Sequence, residues 1–443
     1  MTDEPLTFTL SVDHKPYLLV GERKLDAILQ VTATEPAPEA ASAQPLAAEV
    51  IIIDTSRSMV GPRIEEARRA ASTAVDAVRD GSYFAVVAGH TTADLIYPAR
   101  QGVVPATARN RAAAKRMIAK VTANGTTSMS AWLRLADTLL DGCQEARIKH
   151  AVMLTDGYCT DDEGALPAAL KTCEGHFVCD CRGVGDGWRV EELRDIAHAL
   201  LGTWKPVAAP EQLADDFREA LRASMAKRLP GVVLRIRPTG RSSVTYFAQT
   251  MPSIQELTGM AVAADDGRAV EFPLGPWGAQ SRDYHLRLET SQDDLGIETG
   301  RGVRAARLEV IVPGPDPGDG TAVVAASAPV VARWTTDTAL ARDDPKVADA
   351  TGQEELNTVI WDGLDAWEHG LPEAERLLGQ ALRLAYALGR ADLLEKLSAI
   401  ASRVDPKAGA ITLLPYRDVP HAHLIWTRYL STQSRTLGPD GDD

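Results

Sequence analysis

The sequence lacks an excess of basic residues. Its 443 residues include 47 Lys and Arg against 61 Asp and Glu, which gives a formal net charge of −14. No cluster of Lys or Arg interrupts this acidic balance, and a chain of such charge is repelled by a phosphate backbone. We therefore expect neither nucleic acid nor a membrane among its partners.

Long apolar runs and cysteine are also scarce. No stretch approaches the roughly 18 apolar residues that a membrane-spanning helix needs, and residues 1–5 lack the basic start and apolar core of a signal peptide. Five cysteines are an odd number and too few for a disulfide scaffold in a chain of this length. These absences predict a soluble, reduced, cytoplasmic protein.

The remaining composition is that of a folded protein. Apolar residues make up 45% of the chain and charged residues 24%, which argues against wholesale disorder. At roughly 150 residues per domain, the length suggests about three structural units.

Two segments show the period-two alternation of β-strands. It covers most of residues 7–34 and returns in residues 229–335, where Gly, Pro and Asp turns separate the strands. The later block predicts an antiparallel β-sandwich. The first strands are too few to bury a face alone, so we expect them to join the later block.

Between these blocks, apolar strands alternate with amphipathic helices, which predicts a doubly wound, Rossmann-like α/β domain with a parallel sheet. This domain would then be an insertion into the β-sandwich, and helical periodicity follows it. The predicted division is N-terminal strands at 1–34, a linker at 35–47, the α/β domain at 48–228, the β-sandwich at 229–335, a helical hairpin or bundle at 352–404, and a C-terminal extension with a mobile end at 405–443.

Oxygen-bearing side chains cluster in three loops of the α/β domain. Residues 54–58 read Asp-Thr-Ser-Arg-Ser after the first buried strand, residues 124–127 read Asn-Gly-Thr-Thr before a predicted helix, and residues 155–157 read Thr-Asp-Gly at the end of the next core strand. In an open α/β sheet, ligands collect outside the carboxyl ends of the strands. Carboxylate and hydroxyl oxygens are the donors that Mg²⁺ prefers.

This combination resembles the metal-ion-dependent adhesion site of the von Willebrand factor A domain, over roughly residues 48–228. The resemblance implies that Ser56 and Ser58 are direct hydroxyl ligands of Mg²⁺, Mn²⁺ or Ca²⁺. It implies that Thr126 supplies a third hydroxyl, directly or through water, and that Asp54 and Asp156 hold the ion mainly through bridging waters. One coordination position would stay open for a carboxylate from a partner protein.

The chain departs from the family pattern at two positions. Asn124 stands where the family usually has the first Gly of Gly-Gly-Thr, and Arg57 stands where it often has Gly. Neither change removes an oxygen ligand. Four side chains around the open position are expected to set partner specificity: Arg57, Thr127, Asp186 and His90. The flanking regions resemble, more weakly, an uncharacterised group of bacterial cytosolic proteins with A domains.

Three other interpretations stay open. Asp54, Ser56 and Ser58 could merely cap the following helix. Separately, the protein could be a scaffold with a vestigial metal site that binds through the helices of 352–404. Alternatively, Asp54 could serve a Mg²⁺-dependent phosphohydrolase. Such enzymes need a second carboxylate two residues after the nucleophile, and this chain has Ser56 there. We therefore expect a binding protein without catalytic residues rather than an enzyme.

Overall fold

The computed structural model describes residues 6–35, 45–100, 102–240, 242–264, 266–290, 299–314 and 321–434. Most of the predicted linker and the end of the C-terminal extension lie outside these residues. The described chain divides into two compact units. The first draws on Met1–Leu6, Glu35–Val232 and Leu274–Ala279, and the second on Thr7–Thr34, Val233–Pro273 and Gln280–Asp443.

The first three strands belong to the second unit: β1 (Thr7–His14), β2 (Leu18–Leu19) and β3 (Lys24–Thr34). The α/β unit follows. Its strands are β4 (Ala47–Asp54), β5 (Tyr83–Gly89), β6 (Ala93–Tyr97), β7 (Val104–Pro105), β8 (Ile148–Thr155), β9 (Val178–Val184) and β10 (Trp204–Val207). Its helices are α1 (Pro62–Ala77), α2 (Ala108–Ile118), α3 (Met129–Asp141), α4 (Ala165–Cys173), α5 (Val190–Ala199) and α6 (Leu213–Met225).

The sheet of the α/β unit has the strand order β10-β9-β8-β4-β5-β6, with β7 also paired to β5. Strands β4, β5, β8, β9 and β10 run parallel, whereas β6 and β7 run antiparallel to β5. Every residue of β4 is buried, as the continuous apolar run Val50–Ile53 requires of a central strand covered on both faces. Ile51 and Ile53 pack into one cluster with Val75 of α1 and Phe217 of α6.

Two further sheets are antiparallel, with the strand orders β1-β3-β16-β12-β13 and β14-β15-β11-β17-β18, and most of their residues belong to the second unit. The later strands of these sheets are β11 (Leu229–Pro238), β12 (Ser243–Met251), β13 (Gln255–Glu256), β14 (Val262–Ala263), β15 (Val270–Trp277), β16 (Gln280–Glu289), β17 (Val303–Pro313) and β18 (Ala322–Ala332). The short strand β19 (Trp334–Thr335) pairs in parallel with β2 instead. Strand β3 pairs with β16, placing Leu29 opposite Tyr284. The rings of Phe247 and Phe272, one from each sheet, lie 4.4 Å apart.

Helices and a small hairpin complete this unit: α7 (Pro345–Glu368), α8 (Ala374–Ala387), α9 (Ala391–Ala399), β20 (Ala401–Asp405), β21 (Ala410–Leu413) and α10 (His421–Thr432). Helix α7 begins seven residues before the predicted helical segment, because the Asp344 side chain caps it by accepting from the backbone of Lys346 at 2.9 Å. Leu424 of α10 packs into the helical core with Leu378 and Leu397. Among the described helices, none combines the length and hydropathy that a membrane crossing requires.

Candidate metal centre

The carboxylate of Asp54 is fixed at the junction of the two central strands. Strands β4 and β8 pair in parallel with Ile53 beside Leu154, so the next residues, Asp54 and Thr155, end the two strands side by side. The Thr155 hydroxyl donates to Asp54 Oδ2 at 2.6 Å, and the backbone of Ser56 donates to Asp54 Oδ1 at 2.7 Å. The carboxylate therefore has one orientation.

Two serine hydroxyls and a second carboxylate lie next to one another at the same edge. Ser56 Oγ is 2.9 Å from Ser58 Oγ, and Ser58 Oγ donates to Asp156 Oδ1 at 2.5 Å. The guanidinium of Arg63 donates from Nη1 to the other oxygen of Asp156 at 2.7 Å. Ser56 is buried and Ser58 is exposed, so this cluster lies at the surface of the unit.

The glycine-threonine loop is held against this cluster by backbone contacts. Arg57 N donates to Gly125 O at 3.1 Å. Gly125 has a positive φ of 81°, and a Cβ atom there would lie 2.6 Å from Thr91 Oγ1, so the position requires glycine. Thr126 is exposed. Its backbone N–H donates to Thr91 Oγ1 at 3.0 Å, and its hydroxyl donates to the same atom at 3.2 Å.

Thr127 contrasts with Thr126 in burial. The residue is only 4% exposed, so little of it reaches the surface, and its part in partner specificity stays a prediction. Its hydroxyl flanks Gly157. A Cβ atom on that glycine would lie 3.3 Å from Thr127 Oγ1 and 3.4 Å from Ser58 Oγ.

The other three side chains expected at the partner surface lie on loops of the same edge. Arg57 and Asp186 are exposed and His90 is half-buried. His90 Nε2 lies 3.0 Å from Asp94 Oδ2. The loop that carries Asp186 packs on the metal centre, because a Cβ atom on Gly187 would lie 2.7 Å from the backbone oxygen of Asp156.

Burial dominates the electrostatics of Asp54. It raises the pKa of this carboxyl to about 6 from an ordinary value of 3.8; the hydrogen bonds from Thr155 and Ser56 oppose the rise, and the nearby charge of Asp156 adds to it. A divalent cation at this edge would compensate the buried charge.

The donor set fits a hard divalent cation. In octahedral coordination with bonds of about 2.1 Å, neighbouring ligand oxygens are about 3.0 Å apart, and the hydroxyls of Ser56 and Ser58 are 2.9 Å apart. In the described part of the chain, no group of three or more His, Cys, Asp or Glu residues could hold a metal. A metal ion at this edge would therefore bind hydroxyl oxygens beside two carboxylates, a set that suits Mg²⁺ better than ions that prefer sulfur.

Three residues of this centre were not singled out by the sequence as site residues. Thr155 stood within the Thr-Asp-Gly segment, but a threonine inside a core strand gives no sign that it fixes a carboxylate. Nothing in the sequence indicates a role for Thr91 or Arg63 at this site, since a hydroxyl in a loop and an arginine in the first turn of a helix usually face solvent. Their roles depend on tertiary contacts alone.

Comparisons with known proteins agree with this architecture. A family model described as the von Willebrand factor type A domain matches residues 48–205. A solved structure of a von Willebrand factor type A protein from Catenulispora acidiphila is 34% identical, covers 97% of each chain and has a TM-score of 0.89. The ArnB paralog VWA2 from Sulfolobus acidocaldarius matches 97% of this chain and 100% of its own, at 14% identity and a TM-score of 0.54, which concerns the fold alone.

A curated relative gives a more partial match. An uncharacterised protein from Synechocystis is 24% identical over 230 residues, and this chain spans about half of its length, 52%. The match to the Catenulispora protein, by contrast, extends over nearly the whole of both chains. The chain belongs to the von Willebrand factor type A family.

Proposed function

We propose that this protein is an interaction module that captures a carboxylate of a partner protein through a bound divalent cation, Mg²⁺ or else Mn²⁺ or Ca²⁺. The observation that carries the proposal is the 2.9 Å separation of the Ser56 and Ser58 hydroxyls beside the carboxylates of Asp54 and Asp156. Family membership adds support, because von Willebrand factor A domains often serve as metal-dependent interaction modules.

Each residue of the centre has a distinct role in this proposal. Ser56 and Ser58 would bind the cation directly, and Thr126 would supply a third hydroxyl, directly or through water. Asp54 and Asp156 would hold it mainly through water, which lets two buried charges neutralise the cation. When bound, the cation supplies a strong, orienting ligand bond for a carboxylate oxygen of the partner.

The rim of the centre offers side chains that could set specificity. Arg57 is exposed and would attract an acidic segment, with His90 and Asp186 on neighbouring loops. Two exposed apolar side chains stand beside the ligands in sequence: Val60 is 63% exposed and Tyr158 is 51% exposed. We propose that the partner presents an apolar residue close to its carboxylate.

An enzymatic role has less support. An aspartyl-phosphate mechanism through Asp54 needs a general acid two residues on, and Ser56 occupies that position with its hydroxyl against Ser58. We therefore assign no catalytic residue. A scaffold with a vestigial metal site makes a separate prediction, namely no heat and no shift in melting temperature when divalent ions are added.

The arrangement of the remaining segments is also a proposal. We interpret the α/β unit as an insertion into a β-sandwich. The pairing of β3, which precedes this unit in the sequence, with β16, which follows it, supports this interpretation. The sandwich and the helices α7 to α10 would act as a frame and a second contact surface. A cytoplasmic location stays a prediction from the sequence.

The test is capture of a partner from native lysate with Mg²⁺ and again with EDTA, using the wild-type chain and Asp54→Ala. We expect capture only by the wild-type chain in Mg²⁺. The melting temperature of Asp54→Ala verifies that this variant is folded. Asp162→Ala, which removes an exposed carboxylate of a nearby loop, is the matched control and should capture normally. Undiminished capture in EDTA or by Asp54→Ala would refute the proposal.

A further inference from the structure

We propose that Arg63 is a resident cation of the metal centre, which competes with the divalent ion for Asp156 and thereby sets the affinity for that ion. The inference rests on the proposed metal site and concerns its regulation. It predicts an ion-free state that is stable in its own right.

The contact between Arg63 and Asp156 is built into the fold. Arg63 is the second residue of α1, and its Nη1 lies 2.7 Å from Asp156 Oδ2. The Asp156 side chain is fully buried while that of Arg63 is 39% exposed, so the guanidinium closes the carboxylate off from solvent on one side. The guanidinium lies beside the loop that follows β9, since a Cβ atom on Gly185 would lie 3.4 Å from Arg63 Nη2.

The two oxygens of Asp156 serve different partners. Oδ1 accepts from the Ser58 hydroxyl at 2.5 Å, and Oδ2 accepts from Arg63. Ser58 is one of the proposed ion ligands, so a divalent ion and the guanidinium would act on the same carboxylate from opposite sides. Without the ion, Arg63 compensates a buried charge that would otherwise be costly.

This pairing must weaken ion binding. A divalent ion adds two positive charges beside the guanidinium, and like charges in a poorly solvated site repel strongly. Any part of the Arg63–Asp156 stabilisation that is lost when the ion binds is, by linkage, subtracted from the free energy of ion binding. Both effects lower the affinity.

If Arg63 instead held Asp156 in position for the ion, it would raise the affinity for the ion rather than lower it. Second-layer residues that hold a ligand in position raise metal affinity, and their loss weakens it by about 10- to 100-fold. The two roles separate when charge and hydrogen bonding are changed independently. Arg63→Gln keeps a hydrogen-bond donor and removes the charge, whereas Arg63→Lys keeps the charge and loses the planar fork.

The experiment is calorimetric titration of the full chain with MgCl₂ and with MnCl₂, together with its melting temperature in EDTA. For Arg63→Gln we expect ion binding tighter by about tenfold and a lower melting temperature in EDTA. Arg63→Lys should bind the ions within about twofold of the wild-type chain. Arg69→Gln is the matched control on the same helix, where Arg69 pairs with Glu66 at 3.0 Å on the exposed face, and should change neither quantity.

Unchanged ion binding by Arg63→Gln would overturn the proposal, and weaker ion binding would overturn it and favour the orienting role. If the wild-type chain binds no ion but Arg63→Gln does, the competition is supported in its strongest form. If neither binds an ion, the proposed function fails together with this inference. If the wild-type chain binds and Arg63→Gln is no tighter, only this inference fails.

Discussion

At the scale of single residues, Asp54 is a buried carboxylate whose charge the proposed ion would compensate. It is fully buried, and both of its oxygens accept hydrogen bonds within the protein. Asp54→Asn keeps the shape of the side chain and removes the charge. We expect Mg²⁺ binding to weaken by about 100-fold or more, while the ion-free chain stays folded because an uncompensated buried charge has been removed. Calorimetric titration and thermal melting measure the two effects, and unweakened binding by Asp54→Asn would contradict the assignment.

The raised pKa of Asp54, about 6, gives ion binding a pH dependence. Below about pH 6 a proton competes with the cation, so Mg²⁺ affinity should fall as the pH is lowered from 7.5 to 5. The stability of the ion-free chain responds in the other sense. Because the pKa of Asp54 in the folded chain lies above the ordinary 3.8, protonation of Asp54 stabilises the folded state at low pH. This contribution to the free energy of unfolding is lost as the pH rises through about 6. Titrations at pH 5, 6 and 7.5 test the first effect, and a flat profile would contradict it.

The two adjacent threonines provide a further residue-scale test. Thr126 is the proposed ligand and is exposed, whereas Thr127 is buried with its hydroxyl beside Gly157. Thr126→Ala should weaken Mg²⁺ binding by about tenfold with little change in stability. Thr127→Val keeps the volume of the buried side chain, removes its hydroxyl and should leave ion binding close to wild type. The reverse pattern, measured by calorimetry, would show that Thr127 is the ligand.

At the scale of elements, loop geometry holds the centre together. Gly125 combines a φ of 81° with a Cβ position only 2.6 Å from Thr91 Oγ1. Gly125→Ala should therefore lower the free energy of unfolding by about 1 to 3 kcal/mol and weaken ion binding as well. Gly164→Ala, with a φ of 82° but nothing near its Cβ position, is the control for backbone strain alone. Denaturant unfolding that ranks the two variants equally would contradict a steric role for Thr91.

The elements differ in how far the sequence alone predicts them. Strand β4 is a continuous apolar run, and only a strand covered on both faces has that pattern, so its place at the centre of the sheet could be predicted. Helix α10 could not be predicted, because Pro420 precedes it, no side chain caps it, and Ile425 to Thr427 favour strands. The sequence predicts that the hydroxyls of Ser56 and Ser58 follow a strand end, and their role as metal ligands stays a prediction. The salt bridge between Arg63 and Asp156 depends on the position of α1, so the sequence could not predict it.

At the scale of the whole molecule, a buried histidine ties the helices of the second unit to its sheet. His285 Nδ1 lies 2.8 Å from Glu354 Oε2 of α7, and its Nε2 lies 2.8 Å from Asp26 Oδ1 of β3. Burial by itself lowers the pKa of His285, but the hydrogen bonds and charges of Asp26 and Glu354 raise it to about 8. The charged imidazole therefore bridges two carboxylates.

This bridge predicts a loss of stability in mild alkali. The pKa of His285 in the folded chain, about 8, exceeds the ordinary 6.5. The contribution of the charged imidazole to the free energy of unfolding is therefore complete below pH 6.5 and is lost as the pH rises through 8. The free energy of unfolding of the wild-type chain should fall over this range, and that of His285→Gln should fall less. His176→Gln, which removes an exposed histidine bonded to Asp137 at 2.8 Å, is the control. Identical pH profiles for all three chains would contradict the bridge.

The most direct measurement is a crystal structure of the full chain grown with MnCl₂, with the ion located by its anomalous scattering. Our account predicts a peak coordinated by the hydroxyls of Ser56 and Ser58, with the carboxylates of Asp54 and Asp156 behind water molecules. One coordination position should hold water or a carboxylate from outside the chain. A peak elsewhere, or an ion enclosed entirely by oxygens of the chain itself, would contradict capture of a partner through the metal.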